Sequence, residues 1–275
     1  MNCATMLVHI DDSLCSDSRV DFAVELARKH NAHLIGLYIV CQDLLRPMFW
    51  PDESLDLATN EKQAAQRLAR ARDYFTEAAR RAGIASEWRA PPGPAVETAI
   101  LHARHADLLI YGQRDQADPA AYIARNFPDD VLLESGRPMI LLPYAGNTER
   151  FAGTVLIAWD GGPAAARAVA DALPFLRLAN FVEIAVVEQH NHETVATGME
   201  LAAYLERHRV RAGVLTLPRV SGVSTGATLL NALTDTHSDL LVLGAYGHAR
   251  VREIVLGGVT RTMLESMTTP VFMSH

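Results

Sequence analysis

The run "HSDLLVLG" at residues 237–244 has a near copy in "HADLLIYG" at residues 105–112. Each places four largely apolar residues between an aspartate and a glycine. An apolar run of this length, bounded by turn-forming residues, is typical of a strand buried on both faces of a parallel sheet. The copies lie 132 residues apart, and "GRPMILLP" (136–143) matches "TTPVFMSH" (268–275) at the same offset. The repetition predicts two similar domains.

The beginnings of the two halves also correspond. "MLVHIDDS" (6–13) and "VLIAWDGG" (155–162) are apolar runs that lead into aspartate, 149 residues apart, and a helical pattern follows each. The offset is 149 residues at the beginnings of the halves but only 132 at their far ends, so the first half has additional residues in between. These residues read as a loop and a long helix within residues 46–83. Strands alternate with helical patterns throughout, as in parallel sheets that are covered by helices on both faces.

The fold class that this pattern predicts is α/β, with two tandem doubly wound parallel-sheet domains of Rossmann-like architecture. We place the domains at residues 1–146 and 152–275, and they meet near the polar, glycine-containing stretch 144–153. In such sheets, ligands bind at the carboxyl ends of the strands, where the strand order reverses.

The segment "GAYGHARVREIVLGGVT", Gly244 to Thr260, carries four glycines among good helix formers. Gly244 ends the predicted strand, and "GGVTRTMLESM" begins a helix with Thr260 in its first turn. A strand, a glycine turn and a helix N-terminus together form an anion site. Glycine lets the backbone approach a phosphate, and the helix N-terminus presents N–H groups and a favourable dipole. The spacing is neither GxxxxGK[ST] nor GxGxxG.

The same glycines resemble the nucleotide motif of the universal stress protein family. That motif is glycine, two residues, glycine, nine residues, glycine, and then serine or threonine. Gly244, Gly247 and Gly257 match the spacing. Gly258 departs from it, because serine or threonine is usual there, and the two residues that follow again resemble the family's continuation. The resemblance covers both halves, since members often occur as tandem pairs, and it implies an adenine nucleotide alpha hydrolase-like fold.

The resemblance implies a site for ATP or a related adenine nucleotide in the second domain, with Mg²⁺ as an accompanying ion. Asp160, at the end of its strand, would contact the nucleotide, and Val187 would line the adenine pocket. His248 is either a phosphate contact or a surface histidine. A hydrogen bond to a charged group is worth ~1.5–3 kcal/mol, so the missing hydroxyl at Gly258 weakens a site without abolishing it. The implied site residues are Ala158, Trp159, Asp160, Val187, Gly244, Gly247, His248, Gly257, Gly258, Val259 and Thr260.

The first half is an internal control for this motif. Gly112 retains the first glycine, but the positions of the other motif residues hold Asp115, Arg125, Asn126 and Pro128. Asp115 would repel a phosphate, and Pro128 has no N–H to donate. We therefore expect the first domain to be a degenerate copy, structural or partner-facing, that does not bind nucleotide in this manner.

Composition excludes several classes of protein. The net charge is −7 and no basic tract of five or more residues occurs, which argues against nucleic-acid binding. The longest apolar runs are far shorter than the ~20 residues that span a bilayer, and no signal-peptide pattern is present. The three cysteines contain no CxxC pair, so reduced thiols in a cytoplasmic protein are expected rather than disulfides or a zinc site.

Other candidate residues have simpler interpretations. Asp11 and Asp12 are expected to cap the following helix or turn. Ser224 lies in "GVSTG", which lacks the GxSxG spacing of a nucleophile and precedes a helix, so it reads as an N-cap. His190 and His192 are a weak metal signal, because no third ligand accompanies them.

Three functions are consistent with the sequence. The first is a universal stress protein that regulates a stress response by binding an adenine nucleotide, as a switch, because no general base or metal cage is visible. The alternative is a stress-related interaction module without nucleotide, which Gly258 favours. The third is a slow ATPase. A homodimer is compatible with the tandem pair, and protein partners are not identifiable from the sequence.

Overall fold

The computed structural model describes residues 3–40, 57–115, 117–118, 126–146, 148, 150–188, 193–246 and 258–275. The described chain divides into two compact units, residues 3–135 and 136–275. Each unit combines a mostly parallel sheet with helices, which confirms the predicted α/β fold class. The predicted domain bounds, 1–146 and 152–275, stay a prediction.

The first unit is a parallel sheet with helices between its strands. Its strands are β1 (Thr5–Ile10), β2 (His33–Tyr38), β3 (Ser86–Arg89) and β4 (Leu108–Gly112). Its helices are α1 (Ser16–His30), α2 (Leu57–Ala82), α3 (Ala95–Ala103) and α4 (Phe127–Ser135). The strand order is β3-β2-β1-β4, and each neighbouring pair is parallel.

The long helix predicted in the first half is α2; the loop predicted before it lies outside the described residues. Its apolar side buries Phe75 against β2, where Gly36 leaves room, since a Cβ at that glycine would lie 2.9 Å from the ring. Its polar side faces α1, and Arg70 donates a hydrogen bond of 2.8 Å to Asp17. The helix therefore belongs to the packed layer of the first unit.

The second unit repeats this arrangement with additional strands. Its strands are β5 (Met139–Leu142), β6 (Thr154–Ala158), β7 (Phe181–Val187), β8 (Gly213–Leu217), β9 (Leu240–Gly244) and β10 (Val271–Ser274). Its helices are α5 (Pro163–Leu176), α6 (Glu193–Arg207), α7 (Thr225–Asp235) and α8 (Gly258–Ser266). The strand order is β5-β10-β9-β6-β7-β8.

The pairing of β5 departs from the parallel arrangement that the sequence pattern predicts. The sequence suggests that it is the last strand of a parallel sheet in the first domain. In the structure it belongs to the second unit and pairs antiparallel with β10, with Ile140 opposite Phe272. Both strands are buried apolar runs. Such a run specifies burial, but neither the partner of a strand nor its direction.

The two offsets seen in the sequence agree with the strand register. Met6 of β1 lies opposite Leu108 of β4, and Val155 of β6 lies opposite Leu240 of β9. The first pair becomes the second when β1 is shifted by 149 residues and β4 by 132. Equivalent positions of the two units can therefore be compared residue by residue.

Candidate functional site

A cavity of about 350 Å³ lies at the carboxyl ends of β6, β7 and β9 in the second unit. β6 has β7 on one side and β9 on the other, so the strand order reverses at β6. Ligands of doubly wound sheets bind at this switch point. The volume is within the ~300–1,000 Å³ that is usual for small-molecule sites.

Most of the residues that the sequence assigns to the nucleotide site line this one cavity. Four separate segments of the chain meet there. The positions of Gly247, His248 and Gly257 fall outside the described residues, so their roles stay predictions. The predicted residues that line the cavity are Ala158, Trp159, Asp160, Val187, Gly244, Gly258, Val259 and Thr260.

Other lining residues were not predicted. Glu188 directly follows Val187, and Arg219 comes two residues after β8 ends. A polar residue just beyond a strand end is a usable signal in this fold, because strand ends carry the ligand. The unpredicted lining residues are Ala165, Ala185, Glu188, Arg219, Thr225, Leu229, Leu243 and Tyr246.

Gly244 is required by a close approach between a strand and a helix. A Cβ at this residue would lie 2.3 Å from the backbone nitrogen of Ala165 and 2.5 Å from the carbonyl carbon of Ala164. The first turn of α5 therefore lies directly against the end of β9. This contact is an architectural reason for the glycine that does not depend on any ligand.

Three helix N-termini meet at the cavity. Ala165 of α5, Thr225 of α7 and Gly258 of α8 are all first-turn residues and all line it. The first N–H groups of a helix have no intrahelical partner, and the helix dipole adds partial positive charge. Ser224 caps α7 as predicted, since its Oγ accepts from the N–H of Ala227 at 3.2 Å. The convergence favours an anionic group in the cavity.

The rim of the cavity carries both signs of charge. The carboxylates of Asp160 and Glu188 and the guanidinium of Arg219 line it, and all three residues are exposed. One carboxylate oxygen of Asp160 accepts the N–H of Gly162 at 2.7 Å, which shapes the turn before α5. Because solvent screens charges at an exposed rim, each of these groups contributes only a small part of a ligand's binding free energy.

The inner wall of the cavity is apolar. Ala185, Leu229 and Leu243 are buried there, and the backbone N–H of Trp159 donates to the carbonyl of Ala185 at 3.0 Å. The indole nitrogen of Trp159 is buried and has no hydrogen-bond partner among the described residues. An apolar wall beside several helix N-termini suits a molecule with one apolar part and one anionic part.

Gly258 is the residue that departs from the family motif, and its surroundings do not require glycine. It is exposed, and a Cβ built on it meets no atom of the described residues within 4 Å. In contrast, a Cβ at Gly226 of α7 would lie 2.6 Å from the Cβ of Thr262, so that glycine lets α7 approach α8. Packing therefore explains Gly226, and no contact with the described residues explains the absence of a side chain at Gly258.

The two aspartates of the first unit have partners within the protein. Asp11 accepts the N–H of Ser13 at 3.1 Å. Of the two predicted roles, capping of a helix or of a turn, it therefore has the second. It also forms a buried ion pair with Arg19 at 2.7 Å. Burial is the largest influence on Asp11 and opposes its ionisation, but the charge of Arg19, the charge of His9 and the hydrogen bonds from Ser13 together outweigh it and hold the pKa of that carboxyl below its usual value. Asp12 accepts hydrogen bonds from Tyr38 and Arg67, both at 2.8 Å.

The described part of the chain contains neither a metal site nor a membrane-spanning helix. There, no group of three or more histidine, cysteine, aspartate or glutamate side chains has the arrangement of a metal site. His190 and His192 lie outside it, so the weak metal signal stays untested. In the same residues, no helix has both the length and the apolar character needed to cross a membrane.

Comparison with known proteins gives a family and a fold. The model of the universal stress protein family matches residues 4–143. A solved universal stress protein from Archaeoglobus fulgidus DSM 4304 is similar over 100% of this chain and 99% of its own, with a TM-score of 0.75 and 15% identity. A functionally unknown protein from Pseudomonas aeruginosa PAO1 is similar over 99% and 92%, with a TM-score of 0.58 and 16% identity.

At these identities, the solved structures support the fold alone. No curated protein matches this chain significantly. The residues that the family model matches are those of the first half, in which the glycine motif is incomplete.

Proposed function

The chain belongs to the universal stress protein family, and from this premise we propose that its second unit binds ATP or a related adenine nucleotide as the ligand of a stress-response regulator. The observation that carries the proposal is the convergence of the predicted site residues on one cavity. An adenine needs an apolar wall, and phosphates need N–H donors and positive potential. The inner wall and the helix N-termini supply both.

The proposal assigns each part of the nucleotide to a part of the cavity. The adenine lies against Ala158 and Val187, at the ends of two neighbouring strands. The phosphates lie at the first turn of α8, which includes Gly258 and Thr260. Mg²⁺ enters with the nucleotide, and the exposed carboxylate of Asp160 is an oxygen ligand of the kind that this ion prefers.

Binding as a switch suits this arrangement better than rapid catalysis. Fast hydrolysis requires a base that is positioned against the attacking water. The described lining residues include no histidine or cysteine, and the two carboxylates are at the solvent-exposed rim. Slow Mg²⁺-dependent hydrolysis remains a third candidate, which product release over hours would reveal.

One observation favours the alternative, an interaction module that binds no nucleotide. Gly258 offers no hydroxyl to a phosphate, although a side chain would fit there. Loss of a donor without a packing reason is what a site no longer used for nucleotide would show. This candidate predicts no binding of ATP at any concentration at which the protein stays folded.

Isothermal titration calorimetry with ATP and Mg²⁺ separates these candidates. The blocking variant is Ala158→His. The equivalent position of the first unit is His9, so the variant gives the second unit the same side chain there. The matched control is Leu178→His, which adds the same side chain at a position that is 71% exposed and does not line the cavity. We expect binding in the native protein and the control and none in the blocked variant. Absence of heat from folded native protein at millimolar ATP would overturn the proposal.

A further inference from the structure

Among the described residues of the first unit, large side chains stand at positions equivalent to smaller lining residues of the cavity. The register of the strands and the common offset of the last helices identify the counterparts. Ala158, Leu243 and Val259 of the second unit correspond to His9, Tyr111 and Phe127 of the first. Small and aliphatic side chains that leave a cavity are thus replaced by three rings.

The three rings pack against one another in the interior. The His9 and Tyr111 rings stack with centroids 5.1 Å apart and planes 15° apart. The Phe127 ring lies 5.2 Å from His9 and 5.8 Å from Tyr111, tilted against both. All three residues are at most 1% exposed. The rings therefore occupy the region that is an open cavity in the second unit.

The His9 imidazole also makes a directed hydrogen bond. Its Nε2 lies 2.9 Å from the carbonyl oxygen of Ile39. Because a carbonyl can only accept, Nε2 carries the proton and donates. Leu37 and Ala185 occupy equivalent places beside β1 and β6, so Ile39 corresponds to Val187, which lines the open cavity. The ring N–H thus reaches the strand end that borders the cavity in the other unit.

Arg19 completes the closure of the first unit. Its guanidinium lies over Gly112, where a Cβ would come 2.0 Å from Nη1, and it is held there by the ion pair with Asp11. At the equivalent place in the second unit, the nearest described atoms to a Cβ at Gly244 belong to the backbone of α5 and not to an arginine side chain. The alanine at position 168 stands where the arginine would be.

We propose that the first unit is a ligand site occupied by the protein's own His9 imidazole, and that removing this side chain opens a latent site for a small planar heterocycle with an N–H donor. The ring serves as an internal ligand: it stacks on Tyr111 and donates to Ile39, as a bound heterocycle would. The neutral form that this requires is favoured by burial, which lowers the pKa of His9 to about 4, although the Asp11 carboxylate opposes the shift. The inference does not depend on nucleotide binding by the second unit.

Chemical rescue of His9→Ala tests the proposal. Imidazole can refill the vacated volume and donate to the Ile39 carbonyl, whereas 1-methylimidazole is similar in shape but has no N–H when neutral. At saturating imidazole we expect the Tm of His9→Ala to rise by about 5 °C or more. The native protein and His33→Ala, in which a partly exposed histidine of β2 is removed, should show no comparable rise. 1-Methylimidazole should have little effect on any of them.

The experiment stays decisive if His9→Ala does not fold alone. In that case refolding is compared with imidazole, with 1-methylimidazole and without either, and circular dichroism measures the folded fraction. Recovery with imidazole alone supports the proposal. No recovery, or equal stabilisation by both heterocycles, would overturn it. Because no nucleotide is present, neither result bears on the function proposed for the second unit.

Discussion

The Gly258→Ser variant restores the hydroxyl that the family motif usually carries at the start of α8. A Cβ at this exposed residue meets no atom within 4 Å in the part of the chain that the structure describes, so serine fits there without displacing a described neighbour. The first turn of α8 lines the cavity, which places the added hydroxyl where the proposal puts a phosphate. A hydrogen bond to a charged group is worth ~1.5–3 kcal/mol. Since 1.4 kcal/mol is tenfold, the Kd for ATP should fall ~10- to 100-fold.

The matched control for this change is Gly258→Ala. Alanine adds the Cβ without the hydroxyl and removes the helix penalty of glycine, ~1 kcal/mol. It therefore measures how much a better-ordered helix start contributes by itself. Calorimetric titration of the native protein and both variants with ATP gives the three Kd values. If serine binds ATP no more tightly than alanine, the hydroxyl does not reach a phosphate, and the interpretation of this position is wrong.

The remaining predictions concern packing, charge and pH. Gly244→Ala should lower the free energy of unfolding, measured in urea, by ~3 kcal/mol or more, because its Cβ would meet rigid backbone at 2.3 Å. The control Gly213→Ala should cause no such loss, since a Cβ there meets no described atom within 4 Å. Arg219→Ala should weaken ATP binding severalfold and reduce its salt dependence, since an exposed cation at the rim is lost; an unchanged salt dependence would contradict this. The pKa of His9 is about 4 in the folded chain, below its usual 6.5, so the unfolded state binds more protons between these values. The free energy of unfolding should thus fall by up to ~3 kcal/mol as pH drops through this window. This part of the pH dependence should be missing in His9→Gln, whose amide can still donate to the same carbonyl.

The sequence predicts the fold and much of the candidate site because both depend on local patterns. Apolar runs that end in Asp160 or Gly244 locate strand ends, and the repeat makes their equivalence visible. Strand ends of a parallel sheet meet at one edge, so residues distant in the sequence can be assigned to one cavity. Helix starts such as that of α8 are predictable for the same reason, from a glycine pair followed by helix formers.

Other features depend on tertiary contacts that no local pattern contains. The antiparallel pairing of β5 with β10 is a choice between partners that are equally apolar. Glu188 and Arg219 reach the cavity only because the sheet order places β7 beside β6 and β8 beside β7. His9 and Arg19 look like unrelated polar residues in the sequence, and only the fold shows that they fill the first unit.

Native mass spectrometry of the full chain with ATP and Mg²⁺ tests the central claim most directly, because it counts the nucleotides bound to each chain. One open cavity in the second unit and one site filled by its own side chains in the first predict a single ATP per chain, absent from Ala158→His and retained in Leu178→His. Two nucleotides per chain, or none bound to folded native protein, would contradict the account.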